Sequence, residues 1–273
     1  MDKINRMERF TALLFSISLI LSACQPTPGD GSTDSGAAKT AEANPASKGF
    51  NAADSDERAI SIADSVMLAM GGRKAWDNTR FLQWTFFGRR TLLWDKFTGD
   101  VRIEIPADSA VYLVNIKGLT GKAREGERTI ENPDTLQARL QRANSIWIND
   151  SYWLVMPYKL KNSGVAIQYL GQDTTQSGIP AYVLQLTFQE VGDTPENKYH
   201  VYVDTGSYLV RQWAYFPKAS DEKPAFITPW DDYRKYGDIL LSGNRGERGI
   251  TDIAVLEKAP EGAFTSLAPL RAE

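Results

Sequence analysis

Few residues of this chain belong to the types that make and break bonds, and that scarcity is the first bound on its function. Cys24 is the one cysteine among 273 residues and His200 the one histidine. Common structural zinc sites draw several Cys or His ligands, and a disulfide needs a second thiol; neither can be assembled. A Ser-His-Asp enzyme needs only one histidine, but no Gly-x-Ser-x-Gly elbow is present. His200 lies between Tyr199 and Val201 in an alternating stretch, where it reads as an outward or satisfied strand residue. Asp204 and the pair Asp231-Asp232 offer oxygen ligands without the repeated spacing of a calcium loop. Gly243-Asn244-Arg245-Gly246 is too loose for a phosphate loop. Carboxylate pairs for glycoside cleavage stay open, because their spacing is spatial. No catalytic residue, no metal and no cofactor are expected.

Chemistry done to the chain is easier to read. Lys3, Arg6 and Arg9 give a basic start, and Phe10 to Ala23 is almost free of polar side chains. That is a secretory leader, too short for a comfortable span of roughly 20 apolar residues. Leu21-Ser22-Ala23-Cys24 resembles a bacterial lipobox, whose cysteine takes diacylglycerol and becomes the new N-terminus. One acyl chain anchors marginally, at ~0.8 kcal/mol per buried methylene, and two or three anchor durably. Residues 1–23 are therefore expected to be a lipoprotein signal peptide, and Cys24 the lipidated link to the membrane. The alternative is an ordinary signal peptide that leaves a free thiol. Residues 24–49 then form the lipidated cysteine and a tether: the stretch is small, polar and rich in Gly, Ser and Pro, and cannot offset its chain entropy by burial. Its reach is roughly 25–30 Å. The implied place is the bacterial cell envelope, on the outer membrane facing the periplasm, since Gln25 follows the cysteine.

Removing Lys3, Arg6 and Arg9 with Asp2 and Glu8 moves the net charge from −3 to −4; that is mildly acidic and spread along the chain, and nothing points to a nucleic-acid partner, which would want a basic face. Seven tryptophans, eleven tyrosines and eleven phenylalanines instead supply large apolar area with polar handles, as a carrier cavity or a β core would use. Residues 50–273 read as one domain.

A first helix starts at Asp54-Ser55-Asp56-Glu57, whose side chains suit an N-terminus. It presents Ile60, Ala63, Met67 and Met70 at helical spacing and stops at Gly71-Gly72. The period then becomes two. Leu82, Trp84 and Phe86 alternate with polar residues, as do Val101, Ile103 and Ile105, with Thr98-Gly99-Asp100 as a hairpin turn. Val111 and Leu113 give another strand, and 120–131 reads as a loop or excursion. Asp134 and Gln137 fit a capping pair for a second helix through Leu136, Leu140, Ala143 and Trp147 that fades near Asn149-Asp150. Strands follow at 165–170, 181–188, 199–203, 209–215 and 232–241, and 250–256 pairs at an edge. The pattern is α+β.

An N-terminal helix, a curved antiparallel sheet and a helical excursion resemble the lipoprotein-localisation carriers, the LolA/LolB-like superfamily. The matching stretches are Tyr202-Val203-Asp204-Thr205-Gly206-Ser207-Tyr208-Leu209-Val210-Arg211 and Asp232-Tyr233-Arg234-Lys235-Tyr236-Gly237. A group of bacterial envelope proteins near that superfamily is similar at Ala69-Met70-Gly71-Gly72 with Ala75-Trp76, at Trp94-Asp95 with Thr98-Gly99-Asp100, at Tyr152-Trp153-Leu154, at Met156-Pro157-Tyr158-Lys159-Leu160 and at Gly192-Asp193-Thr194-Pro195. The resemblance implies an open half-barrel whose concave face, covered by the two helices, holds acyl chains; it transfers no catalytic residue. The expected apolar lining is Trp84, Phe86, Val101, Ile103, Val111, Leu113, Tyr182, Leu184 and Leu186, with Met67 and Trp147 on the lids, and a sealed core stands as the equal alternative. The expected partners are the membrane through Cys24, a lipid or lipoprotein ligand, and an envelope protein. The competing readings are a protein-docking module of the envelope and a hydrolase.

Overall fold

The computed structural model describes residues 43–189 and 191–270. The signal peptide, Cys24 and the tether as far as residue 42 lie outside the described residues. Residues 44–47 are bonded to the folded body: the Asn44 amide donates to Asp64 Oδ1 (2.8 Å), and the Ser47 N–H donates to the Lys161 carbonyl (2.9 Å).

Helix α1 (Glu57–Ala69) and a short α2 (Arg73–Asn78) precede six strands: β1 (Phe81–Phe86), β2 (Arg90–Asp95), β3 (Asp100–Ile105), β4 (Ala110–Asn115), β5 (Thr120–Glu125) and β6 (Arg128–Thr129). Helix α3 (Pro133–Val155) follows and tightens into a 3-10 turn, Met156–Lys159. Then come β7 (Val165–Thr174), β8 (Pro180–Phe188), β9 (Lys198–Asp204), β10 (Val210–Phe216), β11 (Phe226–Pro229), β12 (Asp231–Tyr236), β13 (Ile239–Arg245) and β14 (Arg248–Leu256).

The architecture is α+β with antiparallel pairing, but the strands form two sheets where one was expected. Nine lie in the order β12-β13-β14-β1-β2-β3-β4-β5-β6 and five in the order β11-β10-β9-β8-β7; neither is closed. The long connection carrying α3 separates β6 from β7 and leaves each at an edge. The chain passes from the smaller sheet to the larger at Trp230, which is fully buried under the Arg245 guanidinium (3.5 Å). Three expectations are corrected here. Residues 120–131 carry β5 and β6 rather than a loop. The stretch read as one strand over 232–241 is the hairpin of β12 and β13, turned at Gly237 (φ 59°). Strand β14 lies between β13 and β1, not at an edge.

Alternation of side chains fixes which face is core. Trp84, Leu92, Ile103, Tyr112 and Ala123 form one cross-strand row, each paired with the next, and all belong to the main core. The neighbouring row on the opposite face is Leu93, Arg102, Leu113 and Lys122. Val111 and Leu113, expected on the inner face, therefore point outward, and Tyr112 and Val114 point in. The 3-10 turn at Pro106–Asp108 and left-handed Ser109 (φ 48°) enter β4 one residue out of phase with the reading, which exchanges its faces. Ile167, Leu186, Tyr199, Tyr215 and Phe226 make the equivalent row of the smaller sheet.

Of the residues expected to cap α1, Ser55 and Asp56 serve β7 instead. Ser55 Oγ accepts the Ile167 N–H (3.0 Å) and Asp56 Oδ2 the Tyr169 N–H (2.7 Å), so an edge strand that would otherwise expose unpaired groups is covered. The outward face of the larger sheet is covered by the C-terminal segment. Arg102 is 1% exposed; it donates to Glu104 (2.6 Å), to the carbonyls of Ala263 (3.1 Å) and Ser266 (2.7 Å), and to that of Ala268. Arg102→Met takes the donor from the three carbonyls and leaves Glu104 with the Leu270 N–H (2.9 Å), and is expected to lower stability by about 3 kcal/mol in urea unfolding. It should also make residues 259–270 sensitive to protease; a variant whose tail stays as resistant as the wild type's contradicts the clamp.

Candidate functional site

Helix α3 is capped two residues earlier than expected: Asn132 Oδ1 accepts the Thr135 N–H (3.0 Å) and Pro133 takes the first helical position. It also runs past Asn149-Asp150 to Val155, because the helix-stopping proline comes only at Pro157. Its first half is polar and docks on β5 through Arg139, whose Nε donates to Glu125 Oε1 (2.6 Å). Glu125 also accepts from Tyr112 (2.7 Å), and the Arg139 guanidinium holds its carboxyl below the usual carboxylate range. In the second half, Asp150 is held by both Arg90 Nε (2.6 Å) and Nη2 (2.7 Å).

This fixes an aromatic end. Trp147 meets Trp94 edge-on (5.2 Å). Tyr152 packs among Phe188, Tyr199 and Trp213, and Trp153 against Trp213, Phe226 and Phe87. Between these rings and the smaller sheet lies a cleft of about 570 Å³. Its walls are Trp147, Ile148, Tyr152 and Trp153 of α3, Lys159 of the 3-10 turn, Val165 of β7, Phe188 of β8 and Tyr199 of β9. Asn162 and Ser163 border it on one side and residues 191–194 on the other. Gly164 (φ 72°) lets those borders approach: a Cβ there would lie 2.5 Å from the Gln189 carbonyl oxygen.

Lys159 is the cationic element. Its Nζ lies 5.2 Å from the Trp147 ring, 5.9 Å from Tyr152 and 6.0 Å from Trp94. It donates to Ser151 Oγ (3.2 Å), and among the described residues no carboxylate forms an ion pair with it. Burial pulls its pKa down to about 8. Burial pushes Tyr199 up to about 12 and Tyr152 well above its ordinary value, so both phenols stay neutral. Lys96 is a useful contrast: it too is lowered, to about 7, but it donates to the carbonyls of Trp76 and Thr79.

Of the eleven residues expected to line a cavity, Trp147 lines this one. Trp84, Val101, Ile103, Leu184 and Leu186 are 0% exposed in the main core. Phe86 and Met67 are buried with them, and Tyr182 packs at the edge of that core against Tyr169 and Tyr208. Tyr152, Lys159, Val165, Phe188 and Tyr199 were missed. A lysine closing the dense apolar run 152–158 is a signal for Tyr152 and Lys159; Val165, Phe188 and Tyr199 lie on three separate strands and carry none. His200 sits on the outward face of β9 beside Phe216 (4.5 Å), and its Nε2 has no hydrogen-bond partner among the described residues. Asp204 is engaged by its own turn, accepting from Gly206 N–H (2.8 Å) and Ser207 Oγ (2.7 Å).

No protein-family model and no curated protein matches the chain. Among solved structures it is similar to a DUF1329 family protein from Desulfovibrio piger, with 12% identity, 77% of this chain and 98% of that one covered, and a TM-score of 0.41. It is similar to a putative outer membrane lipoprotein-sorting protein domain from Vibrio parahaemolyticus, with 8% identity, coverage of 77% and 97%, and a TM-score of 0.40. A LolA superfamily protein from Nitrosomonas europaea, of the family the sequence resembles, is similar at 11% identity, coverage of 75% and 97%, and a TM-score of 0.37.

Desolvation of Lys159 disfavours its charged form in the folded state. Below about pH 8 both folded and unfolded chains carry the proton, and the folded state bears the full cost. Between about 8 and the ordinary 10.5 the unfolded chain binds more protons, so stability rises with pH. Lys159→Met is therefore expected to melt above wild type at pH 7, with the gap closing between pH 8 and 10.5. A gap that is constant over that range in thermal melts contradicts this.

Proposed function

We propose that this is a lipid-anchored protein of the bacterial envelope that holds an acyl chain or similar apolar ligand in the cleft between α3 and the five-stranded sheet. In this reading Cys24 carries the anchor and the two open sheets form a half-barrel around one apolar interior. A fixed anchor suits a receiver of lipid or lipoprotein better than a freely shuttling carrier. The observation that carries the reading is the 570 Å³ cleft walled by Trp147, Tyr152, Phe188 and Tyr199, in a chain where Trp84, Val101, Ile103, Leu184 and Leu186 are fully buried in the core. Its volume falls in the range of small-molecule sites, about 300–1,000 Å³, and such sites are mostly apolar with few polar groups.

Mass spectrometry of gently extracted protein is expected to find copurified lipid, and a fluorescent fatty acid is expected to bind and quench tryptophan emission. Ile148→Trp places bulk in the cleft from a half-buried position. It should weaken uptake at least tenfold while the melting temperature stays within a few degrees. No lipid in the extract together with no uptake by wild type would remove the proposal.

A further inference from the structure

We infer that the cleft recognises the anionic head of a single-chain amphiphile, a long-chain carboxylate, and that Lys159 is the residue that does so. The inference rests on the proposed function and adds the chemistry of the head group.

An ammonium has three N–H donors, and Lys159 spends one on Ser151 Oγ among the described residues. Two remain, beside the rings of Trp147 and Tyr152, which also line the cleft. A buried cation is usually paired or hydrogen-bonded, as Lys96 is by two backbone carbonyls; the ion-pairing carboxylate that Lys159 lacks is what a ligand can bring. A carboxylate supplies one negative charge and two acceptor oxygens, and charge-assisted bonds of this kind are the stronger ones. The remaining walls, Ile148, Val165, Phe188 and Tyr199, then meet the chain. One lysine and 570 Å³ suit one charge and one chain rather than a diacyl lipid.

The other titratable groups facing Lys159 and the cleft are Tyr152, Tyr199 and Asp193. Tyr152 and Tyr199 are neutral because burial raises them. Asp193 stands exposed at the border. Lys159 loses its charge as the pH rises through about 8, and a carboxylate ligand is ionised throughout.

The test is calorimetric titration of the full chain with dodecanoate, dodecanol and dodecyltrimethylammonium. Wild type is expected to bind dodecanoate about tenfold tighter than dodecanol, the scale of one charge-assisted bond, and the ammonium more weakly than either. Lys159→Met should abolish the preference and Lys159→Arg should keep it. In wild type, which needs no variant to fold, the preference should shrink between pH 7 and 10 while dodecanol binding stays flat. If dodecanoate and dodecanol bind wild type equally at pH 7, or the preference survives in Lys159→Met, the head-group assignment is wrong and the acyl-binding cleft stands. If neither binds, both fall.

Discussion

The side chain of Asp150 is wholly buried in the middle of a helix, and one guanidinium, that of Arg90, holds both of its oxygens. Burial pushes the carboxyl above its ordinary range even though Arg90 pulls the other way. Such a carboxylate is tolerated only with its partner in place; removing one member of a buried pair costs about 3–5 kcal/mol. Arg90 begins β2 and lies over the Phe86 ring (5.0 Å), so the pair ties the second half of α3 to the nine-stranded sheet, as Arg139 and Glu125 tie the first. With 3.6 residues per turn, fixing residue 150 fixes where Trp147 and Tyr152 point. The aromatic wall of the cleft is thus set by an ion pair that does not line it.

Arg245 of β13 holds the end of the same helix. Its Nη2 donates to the Trp153 carbonyl (2.7 Å) and its Nη1 to Ser242 Oγ (2.9 Å) and the Asn244 carbonyl (2.6 Å). The Trp153 carbonyl is among the last four of α3 and has no partner within the helix, and a cation there suits the helix dipole. Burial lowers Arg245 to about 9, yet its plane is stacked on Trp230 and its donors are largely spent. Arg90 and Arg245 are therefore structural cations whose hydrogen bonds end inside the protein. Lys159, one turn beyond the helix, has no comparable set.

What the sequence made legible follows from how each signal arises. The strands β1 and β3 alternate apolar with polar residues because one face meets the main core, so Trp84 and Ile103 could be assigned to the inside. Strand β4 defeated that reading because all of Ala110 to Val114 are buried, on one face by the core and on the other beneath a covered surface. Without alternation, phase has to come from the turn, and left-handed Ser109 carries no such signature. Strands β5 and β6 are polar, and only their pairing identifies them. The cap of α3 was misplaced because Asn132 and Asp134 are equally good cap types. The cleft itself was not legible: Trp147 and Lys159 belong to α3 and the turn after it, while Val165, Phe188 and Tyr199 come from three strands, and nothing local records that they converge.

That convergence bears on whether the space is a packing accident. Along the row from Trp84 to Ala123 the interior is filled, and five fully buried side chains expected to line a cavity are in contact with core instead. Packing is interrupted at the end of α3, where Gly164 lets the loop after β8 come close and a lysine stands among aromatic rings. An apolar residue at position 159 would fill part of the space and remove a desolvated charge, a change that ordinarily stabilises a fold. Positions where local chemistry lowers stability without an evident structural return are where function is expected to reside. Arg102, Arg90, Arg245 and Lys96 each have such a return, in carbonyls and carboxylates they bind. Lys159 has one hydroxyl, the nearby rings of Trp147, Tyr152 and Trp94 and an open cleft, and a ligand bearing an anion would supply the carboxylate that the protein's own groups do not.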